Sequence, residues 1–296
     1  MRLPSWISQH LAALRAVIVF TVLLGIAYPL VLVGIGQIPG LAGRADGSLV
    51  RSRGATVGSA RIGQLFTDSG GNPLVQYFQT RPSAAGDGYD PTSTSASNLG
   101  PESVVDTLPD PAVQGDTGTQ SLLTQVCTRS VAVGKLEGVD GSRRFCTRDG
   151  VGAVLGVFHR DGATGPVLRV VSLNQECPTK PFISVYQNTP VECATFGADY
   201  SKAVITPIRG SAPADPRVPA DAVTASGSGL DPQISVDYAH LQAPRVAKAR
   251  GTSVATVGRL IDRYTTTRAL GFLGEPVVSV LSLNLALDRQ FPKRAT

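Results

Sequence analysis

The chain has 296 residues, of which 42% are hydrophobic and 17% are charged, so it can bury a core and wholesale disorder is excluded. The net charge of +5 is mild and arises from 27 basic and 22 acidic side chains. The basic residues are scattered and form no long run. This argues against nucleic-acid binding, because that activity needs a concentrated basic stripe.

The first predicted element is an apolar helix from Ala16 to Gly36. This run holds about 21 uncharged residues, and a helix of that length spans about 30 Å, the thickness of the bilayer hydrocarbon. Pro29 is tolerated in a membrane helix. The alternative is a cleaved signal peptide, but such a peptide has a shorter apolar stretch, and Leu41-Ala42-Gly43 is a poor cleavage site. The run therefore predicts a retained transmembrane anchor.

Charges near this run do not decide which side of the membrane the remainder occupies. Arg2 and Arg15 precede the run, whereas Arg44, Arg51 and Arg53 follow it. A long carboxyl-terminal domain can also cross the membrane largely regardless of such charges.

The cysteines give a better indication of the compartment. All four lie in one stretch and form no CxxC pair, which disfavours a zinc site. Two disulfides in an oxidising compartment fit this pattern, with three possible connectivities; four buried free thiols are the alternative. The cysteines are Cys127, Cys146, Cys177 and Cys193. They favour an extracytoplasmic location, and hence a cytoplasmic amino terminus in the plasma membrane.

The chain divides into four stretches by composition. Residues 1–37 contain the anchor, and 107–216 carry all the cysteines between Pro-rich flanks. We call 107–216 the insertion and expect it to interrupt one domain formed by 38–106 and 217–296. The expected fold class is α+β: a single transmembrane helix followed by a mixed α/β extracytoplasmic domain with a β-rich insertion.

Strands are expected in the first and second of these soluble stretches. Asp46-Gly47 is typical of a hairpin turn. In the insertion, Val151–Phe158 and Val167–Leu173 are β-branched, apolar runs that predict a second hairpin, and Phe182–Tyr186 predicts another strand.

Helices dominate the last stretch. Asp231 followed by Pro232 predicts a helix start, with the Asp as N-cap. That helix ends before Gly251, and its basic residues Arg245, Lys248 and Arg250, which lie near its end, are interpreted as a solvated face. Ser253 caps a second helix, a strand is predicted over Val277–Leu281, and a short helix or turn follows over Asn284–Arg289. The apolar stripe of the second helix comprises Val254, Val257, Leu260, Ile261 and Tyr264.

No pattern in the chain predicts catalysis or metal binding. The 3 histidines are isolated from one another, so a metal site is not predicted. Ser226-Gly227-Ser228-Gly229 fails the GxSxG pattern of a serine hydrolase, although a hydrolase using Ser226 or Ser228 remains an alternative. The same segment could offer backbone N–H groups to an anion, or it could be a tight glycine turn.

Several motifs in the same order resemble one family, the C subunit (KdpC) of the Kdp-type potassium-transporting P-type ATPase. The motif segments are Ala27–Leu30, Gly58–Gln64, Tyr77-Phe78 with Arg81–Ala84, Tyr89-Asp90, Ser97–Pro101, Val218–Pro232, Gln242 with Pro244–Ala247, and Gly274–Asp288. The residues expected to define the family or to contact other subunits are Tyr77, Phe78, Arg81, Pro82, Ser83, Tyr89, Asp90, Ser97, Asn98, Leu99, Gly100, Pro101, Asp231, Pro232, Arg245 and Asn284.

The resemblance implies an accessory subunit with no catalytic site of its own. Such subunits have one membrane helix and an extracytoplasmic domain. They assemble with an ATP-hydrolysing P-type subunit, a channel-like potassium-binding subunit and a small membrane peptide into a high-affinity potassium uptake pump. They are described as catalytic chaperones that raise the ATP affinity of the hydrolysing subunit, and as stabilising caps beside the ion entrance.

ATP and potassium are then handled by the complex, and no cofactor is expected on this chain. A domain outside the membrane cannot touch cytoplasmic ATP, so an effect on ATP affinity would act through the assembly. By resemblance, the residues related to nucleotide are Ser226, Gly227, Ser228, Gly229 and Gln242.

The sequence departs from the family pattern at Gln79-Thr80, where a His-Gly pair is common, and at Glu102-Ser103. The resemblance also leaves the insertion without an assigned role. A further alternative is a stand-alone extracytoplasmic ligand-binding module, which would be monomeric after detergent extraction and would bind a small molecule unaided.

Overall fold

The computed structural model of the chain describes residues 4–292. The chain forms two compact units, Met1–Arg61 and Ile62–Thr296.

The first unit contains a long apolar helix. It runs through α1 (Ser5–Val22), a π-helical segment (Leu23–Ala27) and α2 (Tyr28–Gly36). The combined helix, Ser5–Gly36, has 32 residues and a mean hydropathy of 2.6 over its most apolar window, and none of that window is buried. By length and composition it can cross a membrane. The π-helical segment ends two residues before Pro29, whose missing N–H would leave a carbonyl unpaired in a regular helix.

A short hairpin completes the first unit after α3 (Ala42–Ala45). Strand β1 (Leu49–Ser52) pairs antiparallel with β2 (Ala55–Ser59). The turn between the strands is Arg53-Gly54, in which both residues have positive φ, as a type I′ turn requires. The prediction of a hairpin turn at Asp46-Gly47 is therefore wrong; this pair follows α3.

A five-stranded sheet forms the centre of the insertion. Its strands are β3 (Val154–Asp161), β4 (Thr164–Glu176), β5 (Val185–Tyr186), β6 (Thr189–Ala194) and β7 (Val204–Pro207). The spatial order is β5-β6-β4-β3-β7, and only the β4–β6 pair is parallel. The predicted hairpin is confirmed as β3–β4. The strand predicted from Phe182 is shorter, because only β5 pairs.

The sheet is covered on both faces, since alternate residues of its strands enter different hydrophobic clusters. One cluster contains Val154, Val171, Leu173 and Ala194, with Leu123 packed against it. The other contains Leu155, Val157, Val170 and Val191.

The insertion also contains a helix, α4 (Leu122–Glu137), that the sequence does not predict. Ser121 caps it by accepting a hydrogen bond from the Thr124 N–H, and Gly138 ends it with φ 69°. Its buried side chains are small: Thr124, Cys127, Ser130 and Gly134.

Two disulfides stabilise the insertion. Cys127 of α4 is bonded to Cys146, with Cα atoms 5.4 Å apart, and Cys177 is bonded to Cys193, with Cα atoms 5.1 Å apart. The expectation of two disulfides is confirmed, and the alternative of four free thiols is wrong.

The last part of the chain forms a small sheet covered by three helices. The elements are β8 (Gln233–Ser235), α5 (Val236–Arg250), α6 (Val254–Tyr264), β9 (Thr265–Thr266), β10 (Val277–Ser279) and α7 (Val280–Gln290). The strand order is β8-β10-β9, and both pairs are antiparallel.

Two predicted boundaries in this region are wrong. Asp231-Pro232 does not begin a helix, because β8 follows it and Ser235 caps α5 by accepting from the Tyr238 N–H at 3.0 Å. The strand over Val277–Leu281 is only three residues long, and the helix predicted from Asn284 starts earlier, at Val280.

The cap of α6 and most of its apolar stripe are confirmed. Ser253 accepts from the Thr256 N–H at 3.1 Å. Val257, Leu260 and Ile261 are buried, whereas Val254 is exposed.

Candidate functional site

Two buried carboxamides hold the backbone of Phe78 and Gln79. Asn284 of α7 accepts from the Phe78 N–H at 2.8 Å and donates to its carbonyl at 3.0 Å. Gln242 of α5 accepts from the Gln79 N–H at 2.7 Å and donates to its carbonyl at 3.1 Å. Gln242 is 0% and Asn284 1% exposed. We call these four residues the carboxamide clamp. Each of its hydrogen bonds matters for stability, because leaving a buried polar group unpaired costs about 1–3 kcal/mol.

Arg245 of α5 connects the clamp to the insertion. Its Nε lies 3.0 Å from both carboxylate oxygens of Glu137, the last residue of α4. Its Nη1 donates to the carbonyls of Val75 and Tyr77, and its Nη2 donates to Gln242 Oε1 at 2.9 Å. The side chains of Arg245 and Glu137 are 9% and 0% exposed. Burial raises the pKa of the Glu137 carboxyl, an effect that Arg245 opposes.

A second ion pair joins two motif loops. Arg81 Nη1 lies 3.0 Å from Asp231 Oδ2, and its Nε and Nη2 donate to the Thr224 carbonyl. The Tyr89 hydroxyl donates to the Arg81 carbonyl at 2.9 Å and lies 3.3 Å from the Asp231 carbonyl. Burial raises the pKa of Tyr89, which keeps its hydroxyl protonated as a donor. Asp231 is thus an ion-pair partner and not a helix cap.

Ser83 and Gly229 bring the same loops into close contact. Ser83 Oγ donates to the Gly229 carbonyl at 2.7 Å and accepts from the N–H groups of Ala85 and Tyr89. Gly229 has φ 72°, and a Cβ there would lie 2.6 Å from the Ala85 Cβ. Only glycine fits this position without displacing the neighbouring loop.

Two arginines of the insertion bind the backbone of Val218–Val223, the segment that precedes the Ser226–Gly229 turn. Arg129 donates to the Val223 carbonyl at 3.1 Å, and Arg143 donates to the Val218 carbonyl. Burial lowers the pKa of both guanidinium groups. The insertion is thus bonded to the motif-bearing part of the second unit.

Tyr77 belongs to a further charged cluster that the sequence does not predict. Its hydroxyl donates to Asp288 Oδ2 at 3.2 Å, and Arg250 lies 2.8 Å from Asp288 Oδ1 and 4.8 Å from the Tyr77 ring centroid. Arg250 is 9% exposed, as is the Arg245 side chain, so the interpretation of these two residues as part of a solvated face is wrong; only Lys248 is exposed. The spacing of four between Arg250 and the buried Val246 is the signal that places Arg250 on the core face of α5.

Other motif residues face solvent or form only local bonds. Asp90 Oδ1 accepts from the N–H and the hydroxyl of Thr92, and these bonds lower its pKa. In the Ser97–Pro101 motif, Asn98 and Leu99 are exposed, and Asn98 has φ 53°. Within residues 4–292 the Asn98 side chain has no hydrogen-bond partner, so this loop is free to meet another molecule.

The segment from Ser226 to Gly229 forms a tight turn beside Asp231. Ser228 Oγ accepts from the Leu230 N–H at 3.1 Å and lies 3.4 Å from Asp231 Oδ1, whereas Gly227 is exposed. Ser226 is 3% exposed, and its Oγ has no partner among the described residues. In that part of the chain, no histidine is hydrogen-bonded to either serine, and no acidic, histidine and cysteine cluster is placed to hold a metal ion. The relation of this turn and of Gln242 to nucleotide stays a prediction.

The fold and these contacts define a class of protein: one apolar helix followed by an α/β unit in which motif loops are held by buried carboxamides and ion pairs. A family model described as "K+-transporting ATPase, c chain" (KdpC) matches residues 10–107 and 194–289. The chain therefore belongs to the KdpC family.

Named relatives support the same assignment. Each is called a potassium-transporting ATPase KdpC subunit. One from Mycobacterium tuberculosis (strain ATCC 25618 / H37Rv) is 37% identical over 281 residues, 95% of this chain and 98% of the relative. Another from Kineococcus radiotolerans is 35% identical over 292 residues, 99% of each chain. A third from Caulobacter vibrioides is 34% identical over 285 residues, 96% of this chain and 94% of the relative.

These alignments also bear on the insertion. The family model leaves residues 108–193 unmatched. The alignment with the Kineococcus relative covers 99% of both chains and therefore runs through this stretch. Some members of the family thus carry a segment comparable in length to the insertion.

Proposed function

We propose that the chain is an accessory subunit that stabilises the assembly of a high-affinity, ATP-driven potassium uptake pump. Its partners in this proposal are an ATP-hydrolysing P-type subunit, a channel-like potassium-binding subunit and a small membrane peptide. Membership of the KdpC family and the apolar helix Ser5–Gly36 support this function.

The observation that carries the proposal is an exposed apolar loop between β9 and β10. We call residues 267–274 the apolar tip. Leu270, Phe272 and Leu273 are 83%, 70% and 51% exposed. The loop is nonetheless ordered by hydrogen bonds of 2.9 Å in both directions between Ala269 and Leu273. An ordered loop that presents three large apolar side chains to water is typical of a surface that a partner covers.

In this proposal the amino terminus is cytoplasmic and the second unit is extracytoplasmic, at the plasma membrane. The two disulfides support that side, because such bonds persist in oxidising compartments.

An effect on ATP affinity would reach the hydrolysing subunit through the assembly. Gln242 is buried, and its carboxamide is already bonded to Gln79 and Arg245. A coupling free energy of about 1–3 kcal/mol between subunits would change ATP affinity without direct contact. ATP and potassium then bind the other subunits.

Site-specific crosslinking tests the proposal. Phe272→p-benzoylphenylalanine places a photoreactive group on the apolar tip. Irradiation of membranes from potassium-starved cells is expected to give an adduct with a membrane subunit of the pump, identified by mass spectrometry.

Phe196→p-benzoylphenylalanine is the matched control, because Phe196 is a 39% exposed phenylalanine in the insertion. Equal amounts of adduct from both positions would show that crosslinking arises from random collision and not from a specific contact at the apolar tip. If no adduct forms at position 272 while the chain is present in the membrane, the apolar tip is not the subunit contact.

A further inference from the structure

A cleft lies between α4 and the segment Gln79–Ser83. It has a volume of about 790 Å³, which lies within the usual range of small-molecule sites. Much of its wall is apolar, formed by Leu65, Pro73, Pro82, Ala132, Val133 and Leu136. The buried Tyr238 contributes to the same wall.

The charges that line this cleft are all positive. Arg81, Arg129 and Lys135 line it, and none of its lining residues is acidic. Of the three, only Arg81 forms an ion pair within residues 4–292, with Asp231 at 3.0 Å. The cleft therefore holds an excess of positive charge beside an apolar wall.

Arg129 is the informative member of this set. Its guanidinium is half-buried and donates to two neutral acceptors, the Val223 carbonyl and Gln125 Oε1, each at 3.1 Å. A desolvated cation without an anion is unfavourable, and burial lowers the pKa of Arg129 accordingly. Two acceptors leave three of its five N–H donors for a ligand. A negative group in the cleft would offset this unfavourable burial.

We propose that the cleft binds a single-chain amphiphile with a negative head group. The head group pairs with Arg129 and Lys135, and the acyl chain lies along the apolar wall. Fatty acids and lysophospholipids share this chemistry. The same chain carries a helix long and apolar enough to cross a membrane, where such molecules occur.

Photolabelling of the full chain tests this site. The chain is placed in nanodiscs of phosphatidylcholine and irradiated with a palmitate that carries a diazirine near the end of its acyl chain. Peptides containing Gln79–Ser83 or Ala132–Leu136 are expected to be labelled. Labelling of the helix Ser5–Gly36 from the bilayer is the internal reference.

Two variants separate charge from shape. Arg129→Gln combined with Lys135→Gln is expected to lower cleft labelling about tenfold relative to the helix. Ala132→Trp, at an exposed position of α4, fills the cleft and is expected to abolish this labelling. Lys248→Gln removes an exposed charge of α5 outside the cleft and is expected to change nothing. Thermal unfolding of each variant shows that it is folded.

Competition identifies the source of the ligand. Displacement of the label by palmitate, by lysophosphatidylglycerol or by both supports the site and shows which head groups it accepts. Equal displacement by methyl palmitate or lysophosphatidylcholine would overturn the role of the negative charge. Cleft labelling that survives Ala132→Trp would overturn the site itself.

Discussion

Gln242 and Asn284 lie on different helices, yet each pairs with both backbone groups of one residue in the carboxamide clamp. A carboxamide has a donor and an acceptor side by side, so it can replace a neighbouring strand for a single residue. This lets a loop pass through the core without leaving unpaired backbone groups. The clamp therefore fixes the backbone between Tyr77 and Arg81, which connects two motif segments.

Asn284→Leu tests the clamp at one position. The substitution puts an apolar side chain in place of the carboxamide and leaves the Phe78 N–H and carbonyl unpaired, so we expect the free energy of unfolding to fall by about 2–5 kcal/mol. Urea denaturation measures the loss. Gln290→Leu is the control, because Gln290 is an exposed carboxamide on the same helix; a loss equal to that of Asn284→Leu would contradict the clamp.

Tyr238 predicts a dependence of stability on alkaline pH. Its pKa is raised, first by burial and then by the charge of Glu137. Below pH of about 10 the tyrosine is neutral in both the folded and the unfolded chain. Above that pH only the unfolded chain ionises there, so unfolding becomes more favourable by about 1.4 kcal/mol per pH unit.

Tyr238→Phe should therefore lose stability less steeply between pH 10 and 12 than the unmodified chain, by about 1.4 kcal/mol per unit. Denaturation at several alkaline pH values measures the slopes. Tyr186→Phe, at a partly exposed position of β5, serves as the comparison, and identical slopes for the two variants would refute the argument.

Several of these residues could be named from the sequence, but their partners could not. Gln242, Arg245 and Asn284 stand in motifs, whereas Glu137 lies in no motif and Asp288 is only the last residue of one. Gln79 and Gln242 are separated by 163 positions and Phe78 and Asn284 by 206, so no local pattern records the pairs. The position of Arg250, by contrast, could be predicted from the sequence. It lies four positions after the apolar Val246, and this spacing places both residues on the same face of α5.

Among the secondary-structure elements, α4 is one that apolar periodicity does not predict. Its buried positions are occupied by Thr124, Cys127, Ser130 and Gly134, so the 3–4 spacing carries no large apolar residue. Small residues are needed there, because a Cβ on Gly134 would lie 2.6 Å from the Gly141 Cα. The strands β3 and β4 were predictable, since each contains an apolar run with several β-branched valines.

The predicted helix start at Asp231-Pro232 is wrong because tertiary contacts override the local sequence preference. The pair has the local chemistry of a helix N-terminus, but the Asp231 carboxylate is bonded to Arg81. The following residues pair with β10 as β8, which moves the helix start to Ser235.

The disulfide between Cys127 and Cys146 is expected to stabilise α4 in particular. Replacing both with Ala should lower the free energy of unfolding by about 3 kcal/mol, as for a closed loop of similar length. It should also speed amide hydrogen exchange in α4. Cys177→Ala with Cys193→Ala removes the other disulfide, which closes a loop of comparable length in the sheet, and should leave exchange in α4 unchanged. Faster α4 exchange in both double variants would contradict this assignment.

At the scale of the whole molecule, the insertion is bonded to the motif-bearing part of the second unit. Glu137, Arg129 and Arg143 each contact residues outside it. The insertion therefore supports the motif loops from one side, while the exposed Ser97–Pro101 loop and the apolar tip remain open to other molecules. This division fits an accessory subunit.

The proposed role as an accessory subunit of the pump is tested most directly by purification of the tagged chain from potassium-starved native membranes in mild detergent. Mass spectrometry should then recover, in stoichiometric amounts, a P-type ATPase subunit and a large polytopic potassium-binding subunit. Recovery of the chain alone in several detergents would contradict the account and favour a stand-alone ligand-binding module.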